Sequence, residues 1–335
     1  MAVREPRYEK KENRLKLHEH IPFDTPVALH VDVCSACNLR CNFCANHSPN
    51  YNGITPRKYQ VMDFELFKKI IDDTAEFPSD IISLRLYNVG EPLLNPKLPE
   101  MIAYAKKTGR FKKIDTTTNG IALTHELSER IAEAGLDFIC FSIESLTAEG
   151  YVKICNTEID YDKLVENIKY FYAHRKNCKV HIKTMNVAVP TKEEEEKFYD
   201  LFSPYCDSIW IDSVTNVWPD FEACKEEDYK FNMYGEQIKP LVCCTQPFYN
   251  LSVNPDGTVT HCDLDWKNEF IIGDLTKQSL VEVWNSDIVR KTQILHLQGR
   301  RKEISICSKC TWPDNGCIDD FDEYRLEVLK RYEIE

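Results

Sequence analysis

The chain alternates short runs of hydrophobic residues with longer segments in which hydrophobic residues recur every three or four positions. The alternation begins at Val27 and continues to about Val214. Short runs of this kind predict buried strands, and the longer segments predict amphipathic helices. Because the two kinds of segment take turns along the chain, the pattern predicts repeated βα units around a parallel sheet.

Six strands and five helices are predicted between these limits. The predicted strands are Val27–Val33, Ile81–Tyr87, Lys113–Thr117, Phe138–Ile143, Val180–Asn186 and Ser208–Asp212. One helix is predicted to begin after Asp63, a residue type that caps helix N-termini. The other predicted helices are Pro96–Lys107, Thr124–Ala134, Tyr161–Arg175 and Lys192–Phe202, the last preceded by a capping box of Thr191 and Glu194.

The pattern changes past Val214 to irregular sequence that is rich in aromatic residues and cysteines. A domain boundary is therefore predicted near Thr215–Gly235, and an amphipathic helix is predicted from about Asp320. Within this second part, the turn sequence Asn254-Pro-Asp-Gly257 separates two short hydrophobic runs. Because Pro presets φ and Gly supplies positive φ, the segment predicts a β-hairpin.

The length of 335 residues predicts one large domain with a smaller one attached. The net charge of −12 argues against nucleic acid or an anionic membrane as the main partner. No apolar run resembles a signal peptide or reaches the length of a membrane span, so a cytoplasmic protein is expected. In a reducing cytosol 15 cysteines do not form a disulfide framework, and some of them are expected to hold metal.

Three cysteines directly follow the first predicted strand, with the spacing Cys37-x3-Cys41-x2-Cys44. Three thiolates spaced in this way can hold one corner of a [4Fe-4S] cluster and leave the fourth iron open to a cofactor or substrate. A zinc site is the alternative, but zinc motifs favour Cys-x2-Cys pairs and a fourth protein ligand.

This motif, together with Phe43 before the last cysteine, resembles the radical S-adenosylmethionine (SAM) superfamily. The resemblance implies that the open iron binds the amino and carboxylate groups of SAM and that Phe43 lies near the adenine. It also implies a 5′-deoxyadenosyl radical formed by one-electron reduction of SAM, and hence an electron donor such as flavodoxin or ferredoxin.

Polar residues at the ends of later strands fit the same resemblance, since functional groups of βα barrels gather where strands end. Gly90 and Glu91 resemble the family's glycine–glutamate element, in which Glu91 would hold the SAM ammonium. Asn119 either faces the methionine part of SAM or simply forms an Asn-Gly turn.

Two further strand ends supply the remaining cofactor candidates. Ser142 and Glu144 resemble a family segment that contacts the SAM carboxylate or ribose. A buried carboxylate on a strand also needs a partner, which makes Glu144 a good candidate. Lys183 and Asn186 are candidates for contact with SAM or with the substrate.

A second set of four cysteines lies in the C-terminal part, at Cys244, Cys262, Cys307 and Cys310. The predicted hairpin brings the first two together, and the Cys-x2-Cys pair completes four thiolates. Such a set suits either a closed [4Fe-4S] cluster or structural zinc. The region resembles the SPASM/Twitch extension of radical SAM enzymes, which implies an auxiliary cluster.

The full SPASM pattern has more cysteines than this chain, so a single auxiliary cluster is expected. Cys243 is an alternative to Cys244, and Cys317 is unassigned. A closed cluster suits electron transfer and thus a net oxidation.

Four other residues are candidates for substrate contact, with packing or a solvated linker as the alternative: Tyr87, Trp218, Asp220 and Trp312. The basic turn at Gly299–Lys302 is either solvated or meets a phosphate.

The expected fold is α/β, a partial (β/α)6 TIM-like barrel followed by a small cysteine-rich SPASM/Twitch-like domain. The expected limits are an extension at 1–19, the barrel at 20–214, a linker at 215–240, the auxiliary domain at 241–320 and a terminal helix at 321–335.

The expected reaction is dehydrogenation of a sugar-like or other small polar metabolite. Modification or epimerisation of a peptide is the alternative, less favoured because only about 20 residues precede the barrel. A non-catalytic metal-binding interaction protein is a third class.

Overall fold

The computed structural model describes residues 2–7, 14–45, 59–224, 231–232, 236–315 and 319–333. Its strands are β1 (Val3–Arg4), β2 (Ala28–Val31), β3 (Ile81–Arg85), β4 (Phe111–Thr118), β5 (Phe138–Ile143), β6 (Lys179–Met185), β7 (Ser208–Asp212), β8 (Asn250–Val253), β9 (Thr258–Thr260) and β10 (Ile271–Asp274). Its α-helices are α1 (Leu17–His20), α2 (Phe64–Asp73), α3 (Leu98–Thr108), α4 (His125–Ala134), α5 (Ala148–Cys155), α6 (Tyr161–His174), α7 (Lys192–Phe202), α8 (Gln246–Tyr249), α9 (Leu280–Trp284), α10 (Asp287–Leu297), α11 (Ser305–Lys309), α12 (Trp312–Asn315) and α13 (Arg325–Glu333).

All ten strands of the described residues belong to one sheet, in the order β1-β7-β6-β5-β4-β3-β2-β8-β9-β10. The six strands β2 to β7 pair in parallel with their sequence neighbours, which is the arrangement expected of βα units. The six predicted strands are confirmed, and two of them, Phe138–Ile143 and Ser208–Asp212, have the predicted limits. The part of the chain before the barrel supplies β1, which pairs in parallel with β7.

The helices begin where the sequence supplies side-chain caps. The Asp63 carboxylate accepts hydrogen bonds from two backbone N–H groups of α2, at 2.8 and 3.2 Å. Thr191 and Glu194 form the predicted capping box at the start of α7. Helix α5, which follows β5, was not predicted, and it proves important for the candidate site.

The predicted hairpin is confirmed as β8 and β9, but its position in the sheet was not expected. Strand β8 pairs in parallel with β2, so the hairpin of the cysteine-rich part extends the barrel sheet. The main hydrophobic core follows this continuity, since it contains residues of the barrel helices together with Leu251, Val253 and Val259 of the hairpin. Within the described residues, no helix combines the length and the apolar character needed to cross a membrane.

Candidate cofactor sites

The first cysteine loop, residues 37–44, follows β2 and is held by the C-terminal end of α5. The backbone N–H of Arg40 donates to the Cys155 carbonyl at 3.0 Å, and that of Asn42 donates to the Ile154 carbonyl at 2.9 Å. The side-chain amide of Asn156 donates to the Arg40 carbonyl at 2.9 Å. The first two bonds use carbonyls that the end of α5 leaves unpaired, and all three fix the loop that carries Cys37, Cys41 and Cys44.

Gly90 allows the end of β3 to lie against the same loop. A Cβ atom at this position would collide with the Cys34 carbonyl oxygen and would lie 2.7 Å from the Ala36 carbonyl oxygen. The next residue, Glu91, donates its backbone N–H to that Ala36 carbonyl at 2.7 Å. Only glycine permits this close approach, so the Gly90–Glu91 pair places the Glu91 carboxylate beside the cysteine loop.

The Glu91 carboxylate is buried and hydrogen-bonded. One oxygen accepts from the Leu93 N–H at 2.9 Å and from the Thr118 hydroxyl at 2.6 Å, and the other accepts from the Asn119 N–H at 2.8 Å. Burial nevertheless raises the pKa of Glu91 to about 7, against the three hydrogen bonds that lower it. A nearby cation stabilises the ionised form of such a carboxyl group and lowers its pKa.

Asn119 links the strand-end turn to the cysteine loop. Its side-chain amide donates to the Asn38 side-chain oxygen at 2.7 Å and lies 3.8 Å from the Cys37 sulfur. The Asn-Gly turn is also present, because Gly120 has a φ of 76°. The Asn-Gly turn is therefore present, and it directs the Asn119 side-chain amide toward Cys37.

Glu144 and Lys183 lie on adjacent strand ends with opposite charges. Burial raises the pKa of Glu144 to about 7, and one of its carboxylate oxygens has no hydrogen-bond partner. Burial alone would lower the pKa of Lys183, but the Asp212 carboxylate, at 2.8 Å from its ammonium, raises it above the ordinary value. Lys183 therefore stays protonated, and its ammonium forms an ion pair with the Asp212 carboxylate.

One open cavity of about 1060 Å³, including its mouth, collects these groups. The predicted residues that line it are Cys37, Cys41, Cys44, Phe43, Gly90, Glu91, Asn119, Ser142, Glu144 and Lys183. Asn186 does not line this cavity: its side chain is exposed, and its amide oxygen accepts the Val214 N–H at 3.0 Å.

A second cavity lies beside the hairpin and contains the four C-terminal cysteines. Its lining includes Cys244, Cys262, Cys307 and Cys310. Cys243 points elsewhere, into a hydrophobic cluster with Phe248. The geometry therefore agrees with the choice of Cys244, whereas Cys317 lies outside the described residues.

The basic turn at residues 299–302 is exposed to solvent except at Arg301, which has a structural role. Arg301 is only 6% exposed, and its guanidinium donates to the carbonyls of Cys307 and Cys310 at 2.9 and 3.1 Å and to Asp314 at 3.1 Å. Arg300 instead forms an exposed ion pair with Glu303. Arg301 therefore fixes the turn between the two cysteines, a role that spacing alone does not reveal.

Val217 and Trp218 lie between the two cavities. Both line the first cavity. Both also belong to the hydrophobic cluster that contains Cys244, Cys262 and Cys310. Tyr87, like Trp218, lines the first cavity. Asp220 instead forms ion pairs with two lysines, and Trp312 packs in the cluster around the second set of cysteines.

Both cysteine sets fit iron–sulfur clusters better than single metal ions. Within the described ranges, no three Cys, His, Asp or Glu side chains lie close enough together to hold one ion. Four cysteine sulfur atoms at about 2.3 Å from one zinc ion would lie in contact with one another. A cubane keeps its thiolates further apart, and each of the two cysteine sets lines a cavity.

The chain belongs to the radical SAM superfamily, whose family model matches residues 31–202. A second model, for the SPASM iron–sulfur cluster-binding domain, matches residues 243–311. Radical SAM enzymes carry a [4Fe-4S] cluster and SAM, and the SPASM domain carries auxiliary iron–sulfur clusters. The expected class, cofactors and fold, a partial TIM barrel with a C-terminal SPASM domain, are confirmed.

Two curated relatives cover most of the chain. A "Tungsten-containing aldehyde ferredoxin oxidoreductase cofactor-modifying protein" of Pyrococcus furiosus is 27% identical over 84% of this chain and 76% of its own length. A GTP 3′,8-cyclase of Aquifex aeolicus is 27% identical over 74% of each chain. These names describe different chemistries, so membership of the superfamily does not define the substrate.

Solved structures of similar fold include anSMEcpe with bound AdoMet and BtrN with AdoMet and 2-DOIA. The first has a TM-score of 0.60 at 14% identity and covers 92% of this chain and 93% of that chain. BtrN has a TM-score of 0.53 at 15% identity and covers 85% and 92%. At these identities the likeness establishes the fold.

Proposed function

We propose that this enzyme oxidises a small polar metabolite, with Cys37, Cys41 and Cys44 holding the SAM cluster. Cys244, Cys262, Cys307 and Cys310 hold one auxiliary cluster in this proposal. The observation that supports it is that Val217 and Trp218 line the first cavity and also pack in the hydrophobic cluster that contains Cys244, Cys262 and Cys310, so the second set of cysteines lies near the cavity proposed for SAM and substrate.

When bound, the cofactors supply a 5′-deoxyadenosyl radical in the first cavity and a one-electron acceptor in the second. A carbinol that loses a hydrogen atom, then a proton and an electron, becomes a ketone. The auxiliary site closes with four thiolates and leaves no place for substrate, so electron transfer is its natural use. An external donor such as flavodoxin or ferredoxin would supply the electron that starts each turnover.

The chain's own groups have distinct parts in this scheme. Glu91 is proposed to accept a hydrogen bond from the SAM ammonium, with Asn119, Ser142 and Glu144 along the rest of SAM and Phe43 near the adenine. Lys183 stays protonated beside Asp212, so it binds or orients a polar group and does not act as a base. Tyr87 and Trp218 line the part of the cavity left for substrate.

Two of the similar proteins favour a substrate that is not a peptide. The Pyrococcus relative is named for modifying a cofactor, and the BtrN structure contains 2-DOIA. Peptide substrates occur among neighbours of the same fold, since SuiB of Streptococcus suis was solved with the precursor peptide SuiA. Deuterium transfer from candidate substrates into 5′-deoxyadenosine distinguishes the two classes.

The central test separates hydrogen abstraction from oxidation. Replacing Cys307 and Cys310 with Ala should preserve reductive SAM cleavage and stop formation of the oxidised product. Replacing Cys206, a buried cysteine of the barrel, should affect neither step and serves as the control. Full product yield from the Cys307/Cys310 variant would refute the electron-acceptor role.

Metal analysis tests the ligand assignment itself. With four irons per cluster, the intact enzyme should hold about eight irons, and the variant with Ala at Cys37, Cys41 and Cys44 should keep about four and cleave no SAM. Zinc without iron in that variant would show that the second site is structural.

A further inference from the structure

Two buried histidines, His261 and His296, line the second cavity together with its four cysteines. They are 3% and 1% exposed. Neither ring nitrogen of His261 has a hydrogen-bond partner, and Nδ1 of His296 has none. The remaining nitrogen, Nε2 of His296, lies 3.6 Å from the Cys307 sulfur.

The two rings reach the cavity from different elements. His261 directly follows β9 and precedes Cys262, and His296 lies in the last turn of α10. The buried histidines of the barrel differ from His261, because each of them has a bonded nitrogen: His30 contacts Arg85 at 2.9 Å, and His181 contacts Ser208 at 2.8 Å.

Buried imidazole nitrogens without partners cost free energy, because water is removed and nothing replaces it. A neutral imidazole carries one N–H, so the two rings supply two donors, and these donors require acceptors inside the cavity. Sulfides and thiolates of an iron–sulfur cluster are acceptors of this kind, and hydrogen bonds to them shift the reduction potential.

We infer that His261 and His296 donate N–H hydrogen bonds to sulfur atoms of the auxiliary cluster and raise its reduction potential. A donated N–H stabilises the reduced cluster more than the oxidised one, because the reduced cluster carries more negative charge. A higher potential favours acceptance of an electron from the substrate. This inference rests on the proposed function, since it assumes that the second cavity holds a cluster.

The experiment uses the full chain with Ala at Cys37, Cys41 and Cys44, so that only the auxiliary cluster contributes to the EPR signal. His261→Leu and His296→Leu are added singly and together, and the midpoint potential is determined by EPR-monitored redox titration. Each substitution should shift the potential to more negative values while about four irons remain. His261→Gln, whose amide can donate, should recover part of the shift, and the barrel control His181→Leu should show none.

An unchanged potential with four irons in both Leu variants would overturn the inference. Loss of iron on substitution would also overturn it, because the histidine would then be a ligand. Zinc in place of iron in the background variant would remove the cluster itself, and metal analysis identifies that failure of the proposed function separately.

A measurement on the unsubstituted histidines covers the case in which the Leu variants do not fold. Protein labelled with ¹⁵N-histidine should show weak ¹⁵N coupling to the reduced auxiliary cluster in pulsed EPR. Absence of ¹⁵N coupling, or the strong coupling of a directly bound nitrogen, would contradict hydrogen bonding.

Discussion

Glu91→Gln tests the proposed SAM contact by removing the charge and keeping the size of the side chain. The carboxylate accepts three hydrogen bonds in the structure, from Leu93, Thr118 and Asn119. A charge-assisted hydrogen bond contributes about 1.5–3 kcal/mol. Its loss should weaken SAM binding to the cluster-loaded enzyme by more than about tenfold at pH 8, where Glu91 is ionised.

The size of this effect should depend on pH in a defined direction. Since burial raises the pKa of Glu91 to about 7, most of the side chain is protonated at pH 6. Only about one tenth of the Glu91 side chains are then ionised and able to hold the SAM ammonium. The ratio of the SAM affinity of the wild type to that of Glu91→Gln should therefore fall by about tenfold between pH 8 and pH 6. The ratio of the two affinities thus rises with pH and approaches one in acid.

The ratio is the quantity to measure, because SAM has its own titrating groups, which affect both proteins equally. Anaerobic equilibrium binding of SAM to both reconstituted proteins at pH 6, 7 and 8 gives it directly, with iron content confirming equal cluster loading. A ratio near one at pH 8, or one that does not change with pH, would refute the proposed contact.

Three other substitutions test how the sites are built. Gly90→Ala should displace the first cysteine loop and lower the occupancy of the SAM cluster. The control Gly109→Ala, at a φ of 68° with open space around it, should only lower the free energy of unfolding by about 1 kcal/mol. Equal loss of iron from both variants would contradict this prediction. Lys183→Met leaves Asp212 without its ion pair and should lower the free energy of unfolding in urea by about 3 kcal/mol, with recovery in the double variant that also carries Asp212→Leu. Arg301→Lys keeps the charge but loses the two carbonyl contacts, so a chelator should remove auxiliary-cluster iron faster than from the wild type.

Periodicity was sufficient to predict the barrel, because each strand of a parallel sheet is a compact hydrophobic run between amphipathic helices. It could not predict that β8 pairs with β2, since that pairing joins residues more than 200 positions apart. The limits 20–214 and 241–320 stay predictions, and the two family models match segments within them. The short helix α5 was missed because its eight residues are few for a periodic signal.

The candidate site was predictable where its residues form local motifs and unpredictable where they meet only in space. The spacing of Cys37, Cys41 and Cys44 and the Gly90–Glu91 pair predicted residues that line the first cavity together. No motif identifies Thr118 as a donor to Glu91 or His296 as a neighbour of Cys307, because both contacts depend on tertiary packing. Asn186 is the opposite case: it directly follows β6, but its side-chain oxygen accepts a hydrogen bond from the Val214 backbone N–H.

The pairing of β8 with β2 also determines what a shortened version of the chain would do. All four residues of β2 are buried, and β8 occupies the edge of β2 opposite to β3. Removal of the C-terminal part would leave an unpaired hydrophobic edge strand, a surface on which other chains can add strands and aggregate. The barrel expressed alone should therefore precipitate, and the hairpin acts as its protective edge.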